Sequence, residues 1–198
     1  MRISSAERRG QLIDAAMRVA KRDGVAAVST RTVAAEAQAT PGIVHYVFAS
    51  MADLLREMIK MLADEQVETV RAVQVQGADL RDSLVRSFEA MWATVEADPG
   101  AHQLTFEVTQ HALREPRLAE LAGWQYECYF DVSRQVLDAV SDAARIDWQL
   151  PVETLARLLV ATNDGVVMAW LVDRDSDRAR RTYMAFVDHL CLLATPRA

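Results

Sequence analysis

The sequence predicts an all-α protein of about nine helices. Only 7 Gly and 5 Pro occur among 198 residues, residues with high helix propensity predominate, and apolar residues recur at helical spacing. With 51% hydrophobic and 25% charged residues, the chain resembles an ordinary globular protein that can bury one large core or two small ones. Capping residues and proline breakers then mark where each helix begins and ends.

Charge is distributed unevenly along the chain. Residues 1–60 contain nine Lys or Arg and six Asp or Glu, a net charge of +3, whereas the remaining residues carry a net charge of −9. A basic N-terminal part suits contact with phosphates, although this charge alone does not distinguish a phosphate-binding surface from a merely solvated one.

Cysteine content and hydropathy argue against a disulfide-bonded, metal-binding, secreted or membrane-spanning protein. Cys128 and Cys191 are far apart and lack metal-ligand spacing, so neither a disulfide nor a metal site is predicted, and no cofactor. The N-terminal segment is too charged for a secretory signal, and the longest apolar run, 166–172, is too short to span a membrane. These features favour a cytoplasmic protein.

Three short helices are predicted at the N-terminus. Ser4 to Glu7 has the pattern of a capping box that begins helix 1, which extends to about Arg22. Ser29 or Thr30 caps helix 2, to about Ala37, and Pro41 begins helix 3, to about Val47. The inward faces are assigned to Leu12, Ala16, Val19, Ala20, Val33, Ala34 and Ala37.

The second and third helices form the pattern of a helix-turn-helix, in which the last helix lies in the major groove of DNA. The start of helix 3 is slim enough for a close approach to DNA, and His45 and Tyr46 follow it with polar groups. Alternatively, these two residues complete a small core and its surface.

On these residues the chain resembles the TetR-type (TetR/AcrR) transcriptional regulators. The resemblance extends from about Leu12 to Leu55 and rests on Ser29-Thr30-Arg31, Val33-Ala34, Glu36-Ala37, Thr40-Pro41-Gly42, the segment 43–48, Ser50 and Leu54-Leu55. The other two thirds are similar only as a succession of amphipathic helices. The resemblance implies a DNA-binding domain (residues 1–50) and a ligand-binding and dimerisation domain (51–198). It further implies a homodimer that binds a palindromic operator, usually represses, and is released by a small molecule.

Three positions depart from the family pattern. Gln38 replaces a common turn glycine, His45 a common phosphate-contacting tyrosine, and Met51 a common lysine at the start of the fourth helix. Since each neutralised phosphate adds affinity through counterion release, Met51 predicts weaker binding unless N-terminal cations compensate, namely Arg2, Arg8 and Arg9. Because imidazole gains charge at lower pH, we expect operator binding that is unusually sensitive to salt and pH.

Contact roles follow from position. Ser29, Thr30 and Arg31, at the N-terminus of helix 2, are expected to meet phosphate. The candidates for base readout are Thr40, Pro41, Gly42 and Ile43, with Ile43 against a thymine methyl. His45 and Tyr46 are assigned to the DNA backbone, and Phe48 to the core.

The fourth helix begins with a capping pattern, Ser50 to Asp53, and is expected to extend to about Gln76. Its length suits a connector whose movement at one end shifts the other, as allostery requires, although a plain amphipathic core helix has the same pattern. Further helices are predicted at about 79–97, 101–114 and 117–144, separated by proline breakers.

Aromatic residues concentrate in these later helices, with Thr and Gln between them. A core is the simpler interpretation, yet Thr105, Thr109 and Gln110 lie on or beside the same stripe as Phe106, where buried polar groups need partners. A cavity with a few polar groups explains both kinds of residue. The predicted ligand-binding residues are Trp92, Phe106, Thr109, Gln110, Trp124, Cys128 and Asn163, and the acidic charge favours a cationic or neutral aromatic effector.

The last two helices are predicted to form a dimer interface. Pro151 begins one of them, and Asp175-Ser176 caps the other, at about 177–194. The final helix is apolar over a wide arc: Tyr183, Phe186, Leu190 and Leu193 on one face, Met184, Val187 and Cys191 on the next. Such an arc predicts an isologous four-helix interface with a second copy, although burial in a larger monomer core is an alternative.

The sequence offers two alternatives to a regulator, an enzyme and a protein-protein adaptor. His102, Glu107, His111, Cys128 and Asp164 offer acids, bases and a nucleophile, but no catalytic motif accompanies them, so an enzyme is not predicted. The remaining alternative is a helical protein-protein adaptor that has lost DNA binding, which the absence of a lysine at position 51 makes conceivable.

Overall fold

The computed structural model describes residues 4–71 and 79–197. Within these ranges the chain is almost entirely helical, as the sequence predicts. The helices are α1 (Ser5–Asp23), α2 (Thr30–Glu36), α3 (Pro41–Val47), α4 (Met51–Arg71), α5 (Leu80–Ala97), α6 (Pro99–Arg114), α7 (Ala119–Ala144), α8 (Val152–Asp173) and α9 (Ser176–Leu192), with a 3₁₀ turn at Val25–Ala27. Arg2 and the predicted continuation of helix 4 to Gln76 lie outside the described residues.

A small antiparallel sheet differs from the prediction of helices alone. Strand β1 (Ile146–Trp148) pairs with β2 (Ala194–Pro196), with Asp147 opposite Thr195. The last helix therefore ends at Leu192 instead of about 194. Helical periodicity does not detect the sheet because each strand has three residues and its partner lies far away in the sequence.

The described chain forms two compact units. The first unit comprises Met1–Ala63 and Gly100–Gln125, and the second comprises Asp64–Pro99 and Tyr126–Ala198. These are groupings by proximity, whereas the predicted boundary at residue 50 concerns function and stays a prediction.

The core of the first unit is built from the inward faces that the sequence indicates. Leu12, Val33 and Leu54 are fully buried, and Phe48 lies in the same cluster with 3% of its surface exposed. The predicted capping box begins α1: the Glu7 backbone N–H donates to Ser4 Oγ (3.1 Å), and the Ser4 N–H donates to Glu7 Oε2 (2.7 Å). Capping and apolar spacing together account for where α1 begins and which face it buries.

The core of the second unit is aromatic. Phe88 stacks on Tyr183 (ring centroids 3.8 Å apart), and Trp92 meets Trp170 edge to face at 5.5 Å. Burial raises the pKa of the Tyr183 hydroxyl. Trp92 is fully buried in this cluster. It therefore packs in the core of the second unit, in addition to its predicted role in ligand binding.

Candidate nucleic-acid interface and effector site

The N-terminus of α2 is held by a reciprocal cap. The Thr32 backbone N–H donates to Ser29 Oγ (3.2 Å), and the Ser29 N–H donates to Thr32 Oγ1 (2.9 Å). Thr32 Oγ1 also lies 2.7 Å from the carbonyl oxygen of Ala27 and can donate to it. Ser29 is thus the N-cap, which fixes the direction of the backbone N–H groups at the start of α2.

One cation, Arg31, and one uncharged side chain, Met51, lie near this helix end. The Thr30 hydroxyl donates to Met51 Sδ at 3.5 Å, so the residue that replaces the common lysine touches α2 with an uncharged thioether. Arg31 is exposed and, within the described ranges, makes no ion pair. Its guanidinium is therefore available to an external anion.

Most neighbouring cations are already engaged inside the first unit. Arg18 and Arg22 pair with Glu36 at 2.8 and 3.0 Å, and these bonds lower the pKa of that carboxyl. Arg9 lies over the Phe48 ring (4.7 Å to its centroid) and pairs with Glu57 at 3.4 Å. Arg9 is thus committed to internal contacts, which weakens the expectation that it compensates for Met51.

The turn between α2 and α3 passes through Gln38, whose φ of 52° lies in the left-handed region. The Ala39 backbone N–H then donates to the Ala34 carbonyl oxygen at 2.8 Å. Glycine adopts such a φ without steric cost, whereas other residues do not. A glycine at position 38 would therefore adopt this backbone conformation without the strain that Gln38 carries.

Helix α3 separates inward from outward residues clearly. Val44 is buried and Ile43 is partly buried against the core of the first unit, whereas Tyr46 is 86% exposed. The other exposed members of the predicted contact set on α3 and at its N-cap are Thr40, Pro41, Gly42 and His45. The expected core position of Phe48 is confirmed, and the polar groups predicted to meet DNA lie at the surface.

The predicted effector residues fall into both units. Phe106, Thr109, Gln110 and Trp124 belong to the first unit, and Trp92, Cys128 and Asn163 belong to the second. Thr109 Oγ1 lies 2.8 Å from the Thr105 carbonyl oxygen and 3.1 Å from Gln125 Oε1, so the hydroxyl finds a partner within its own unit. Internal bonding thus satisfies Thr109 without a ligand.

The same unit contains one buried polar residue that the sequence analysis missed. Gln125 is fully buried, whereas Gln110 is exposed and Trp124 is 39% exposed. A glutamine four residues after an apolar, buried Leu121 was the available indication, since both lie on one face of α7.

In the second unit, three polar groups lie in or beside apolar surroundings. Tyr126 Oη donates to Asp164 Oδ2 at 2.8 Å. Asn163 Oδ1 is buried and has no hydrogen-bond donor among the described residues. Burial raises the pKa of the half-buried Cys128 thiol. Tyr126 of α7 was not among the predicted site residues; the available indication was the run of three polar residues between apolar stretches of α8, 162–164.

Helices α8 and α9 expose an apolar surface. Met168 and Val172 of α8 and Leu192 of α9 are exposed, Val172 by 82%. A groove of about 270 Å³ lies between α8 and the first turns of α9 and is lined by Gly165, Ala169, Trp170, Ala179 and Thr182, among others. Of the described helices, α8 alone has the length and apolar composition to cross a membrane, a test that core helices of soluble proteins also pass.

The sequence prediction placed the surplus apolar surface on α9, and the structure shifts much of it to α8. Tyr183, Val187 and Leu190 of α9 are buried within the second unit.

The described residues contain no group of three or more His, Cys, Asp or Glu arranged to hold a metal ion.

Comparison with known proteins covers both halves of the chain. The sequence model of bacterial regulatory proteins of the tetR family matches residues 12–58, and that of the BetI-type transcriptional repressor C-terminal region matches residues 80–192. The HTH-type nicotine-responsive transcriptional repressor HdnoR of Paenarthrobacter nicotinovorans is 32% identical over 178 residues, 90% of this chain and 91% of the relative.

Solved structures have the same fold. The multidrug binding protein EbrR complexed with ethidium is 29% identical, with a TM-score of 0.68 over 91% of this chain and 98% of that one. A transcriptional regulator from Rhodococcus sp. Rha1 has a TM-score of 0.78 over 94% of this chain and 97% of that one. At 22% identity, the latter shows the fold alone.

Proposed function

This chain belongs to the TetR family of bacterial regulatory proteins, and from that premise we propose that it represses transcription from a palindromic operator, which it binds as a homodimer in the cytoplasm. A small hydrophobic or aromatic effector releases it. The observation that carries the proposal is the exposed edge of α3, with Tyr46 outward and Val44 and Phe48 buried beneath it. The family comprises regulatory proteins and not enzymes.

On the DNA side, α3 enters the major groove and the N-terminus of α2 meets the phosphates. Thr40, Pro41 and Gly42 approach the bases, and the exposed part of Ile43 faces a thymine methyl. His45 and Tyr46 bind the DNA backbone. Arg31 adds a charged phosphate contact, with Ser29 and Thr30 beside it orienting the backbone N–H groups of α2.

The two copies associate through α8 and α9. Support comes from the exposed apolar residues Met168, Val172 and Leu192, since a soluble chain seldom leaves such a surface uncovered. An isologous interface uses the same surface from both copies. Met168→Asp would place a charge in this interface and dissociate the dimer in sedimentation experiments, whereas Leu113→Asp, at an exposed apolar position of the first unit, would not.

On the effector side, the relatives indicate what kinds of compound to test. One relative is named as nicotine-responsive, and EbrR was solved with ethidium. Nicotine and ethidium are both aromatic compounds, which fits the expectation of a cationic or neutral aromatic effector. In the second unit, Trp92, Cys128 and Asn163 are the proposed contacts; in the first, Phe106, Thr109, Gln110 and Trp124.

The test is a mobility-shift experiment on the DNA upstream of the protein's own gene. We expect a specific complex at low salt that is lost on adding nicotine or a related aromatic compound. The control is Tyr46→Ala, which changes an exposed side chain and should abolish the complex without unfolding the chain. A folded wild-type protein without a specific complex would instead favour the adaptor, an alternative that the matches to repressors do not support.

A further inference from the structure

The second unit contains a carboxylate with an unusual environment. Asp164 lies on α8, and its one hydrogen bond among the described residues comes from Tyr126 of α7, whose Oη is 2.8 Å from Oδ2. No ion pair neutralises it within the described ranges. A carboxylate has about four acceptor positions, so most of the acceptor capacity of Asp164 is unused by side chains or backbone.

The preceding residue adds a second acceptor. Asn163 Oδ1 is buried and receives no hydrogen bond from any described residue. A buried carbonyl oxygen without a donor is unfavourable and uncommon in native proteins. Asn163 and Asp164 thus offer several unused acceptor positions and receive, together, one donor.

We propose that Asp164 and Asn163, with Tyr126 as the group that orients the carboxylate, bind the protonated nitrogen of an organic cation that acts as effector. A protonated amine supplies both the positive charge that Asp164 lacks and the N–H donor that Asn163 lacks. This assignment rests on the proposed function and identifies the chemical class of its effector.

The rings beside Tyr126 suit the apolar part of such a cation. Tyr126 meets Tyr129 and Phe130 edge to face, with ring centroids 5.7 and 6.0 Å apart. The guanidinium of Arg157 already lies over the Phe130 ring, 5.2 Å from its centroid. Aromatic faces attract cations through their quadrupole, most strongly where water is excluded.

If the hydrogen bond between Tyr126 and Asp164 served only to stabilise the fold, Asp164→Asn would destabilise the protein, whereas the buried environment of Asp164 predicts the opposite. Burial raises the pKa of the Asp164 carboxyl, and the bond from Tyr126 opposes this only in part. Because the pKa of this carboxyl is higher in the folded than in the unfolded state, the free energy of unfolding decreases as the pH rises from the unfolded-state pKa through the folded-state pKa. The ionised form therefore opposes folding at neutral pH. Asp164→Asn should therefore leave the effector-free protein at least as stable as wild type.

The experiment measures binding of nicotine, whose five-membered ring nitrogen is protonated at pH 7, to the full chain by calorimetry. The neutral comparison is cotinine, a nicotine analogue whose five-membered ring nitrogen is an amide. We expect wild type to bind nicotine, and Asp164→Asn to weaken that binding about tenfold or more. Asp138→Asn, which removes an exposed charge from α7, should change it less than about twofold.

Further variants keep the result independent of folding. Tyr126→Phe leaves the carboxylate in place but removes the hydrogen bond that orients it, so it should weaken cation binding less than Asp164→Asn does. Asn163→Leu removes the second acceptor and should weaken cation binding, which serves as the test if Asp164→Asn fails to fold. Cotinine should bind wild type more weakly than nicotine does, and Asp164→Asn should not change its affinity.

Two results would overturn the assignment: equal nicotine affinity of wild type and Asp164→Asn, or no binding of nicotine by wild type. Mobility shifts with the same preparations separate this failure from that of the proposed function. Specific operator binding without Asp164-dependent cation binding removes only the assignment. Absence of operator binding by folded wild type removes the proposed function itself.

Discussion

Replacing Arg31 with alanine should reduce the salt dependence of operator binding. Arg31 is exposed beside the capped N-terminus of α2 and makes no ion pair within the described ranges. Arg9, Arg18 and Arg22, by contrast, are engaged with Glu57 or Glu36. Of these four side chains, Arg31 is therefore the one that can neutralise a phosphate without first breaking an internal ion pair.

The magnitude follows from counterion release. Each neutralised phosphate contributes about 0.9 to the slope of log affinity against log salt concentration. The proposed homodimer would present Arg31 twice, so Arg31→Ala should lower the slope by about 1.8. Between about 50 and about 200 mM salt, this corresponds to a difference of about twelvefold in how far affinity falls.

Fluorescence anisotropy with labelled operator at four or more salt concentrations measures this slope. Arg71→Ala is the matched control, because Arg71 is an exposed cation at the other end of α4, paired with Glu68, and it should leave the slope unchanged. Since Arg31 is exposed, its replacement should change the free energy of unfolding by less than about 0.5 kcal/mol. Parallel lines for wild type and Arg31→Ala would refute the assignment of this residue to phosphate.

The remaining predictions concern α3 and the turn before it. Tyr46→Ala should abolish operator binding with little change in chemical unfolding, whereas Phe48→Ala should cost about 3 to 5 kcal/mol of stability, because one side chain is exposed and the other buried. If both destabilise equally, the orientation of α3 is wrong. Gln38→Gly should stabilise by about 0.5 kcal/mol in urea titrations, since relief of the positive φ exceeds the added freedom of the unfolded chain; a lower midpoint would contradict this.

Local patterns predicted the N-terminal part of the fold well. Capping residues such as Ser4 and Ser29 act within three residues of sequence, and the structure contains both caps. The expected burial of Phe48 is confirmed as well. Such features depend on neighbouring residues alone, so sequence is sufficient to find them.

Features that depend on distant residues were missed. The pairing of β1 with β2 joins positions about fifty residues apart, and neither strand has enough residues to show a period of two. The apolar arc of α9 was assigned to a dimer, although Tyr183 of that arc stacks on Phe88 within the same unit. Sequence periodicity shows that a face is buried but not which partner covers it.

The candidate effector residues illustrate the same limit. Asn163 was predicted, whereas Tyr126, on another helix, becomes relevant only through its hydrogen bond to Asp164. The sequence analysis named Asp164 only among acids, bases and a nucleophile that no catalytic motif accompanies. Its relation to Tyr126 requires the tertiary structure.

The measurement that tests the account most directly is sedimentation of the purified chain with and without DNA from upstream of its own gene, at low salt. The account predicts a dimer that forms a discrete complex with this DNA and not with an unrelated sequence of equal length. A monomer that sediments identically with and without either DNA would contradict it.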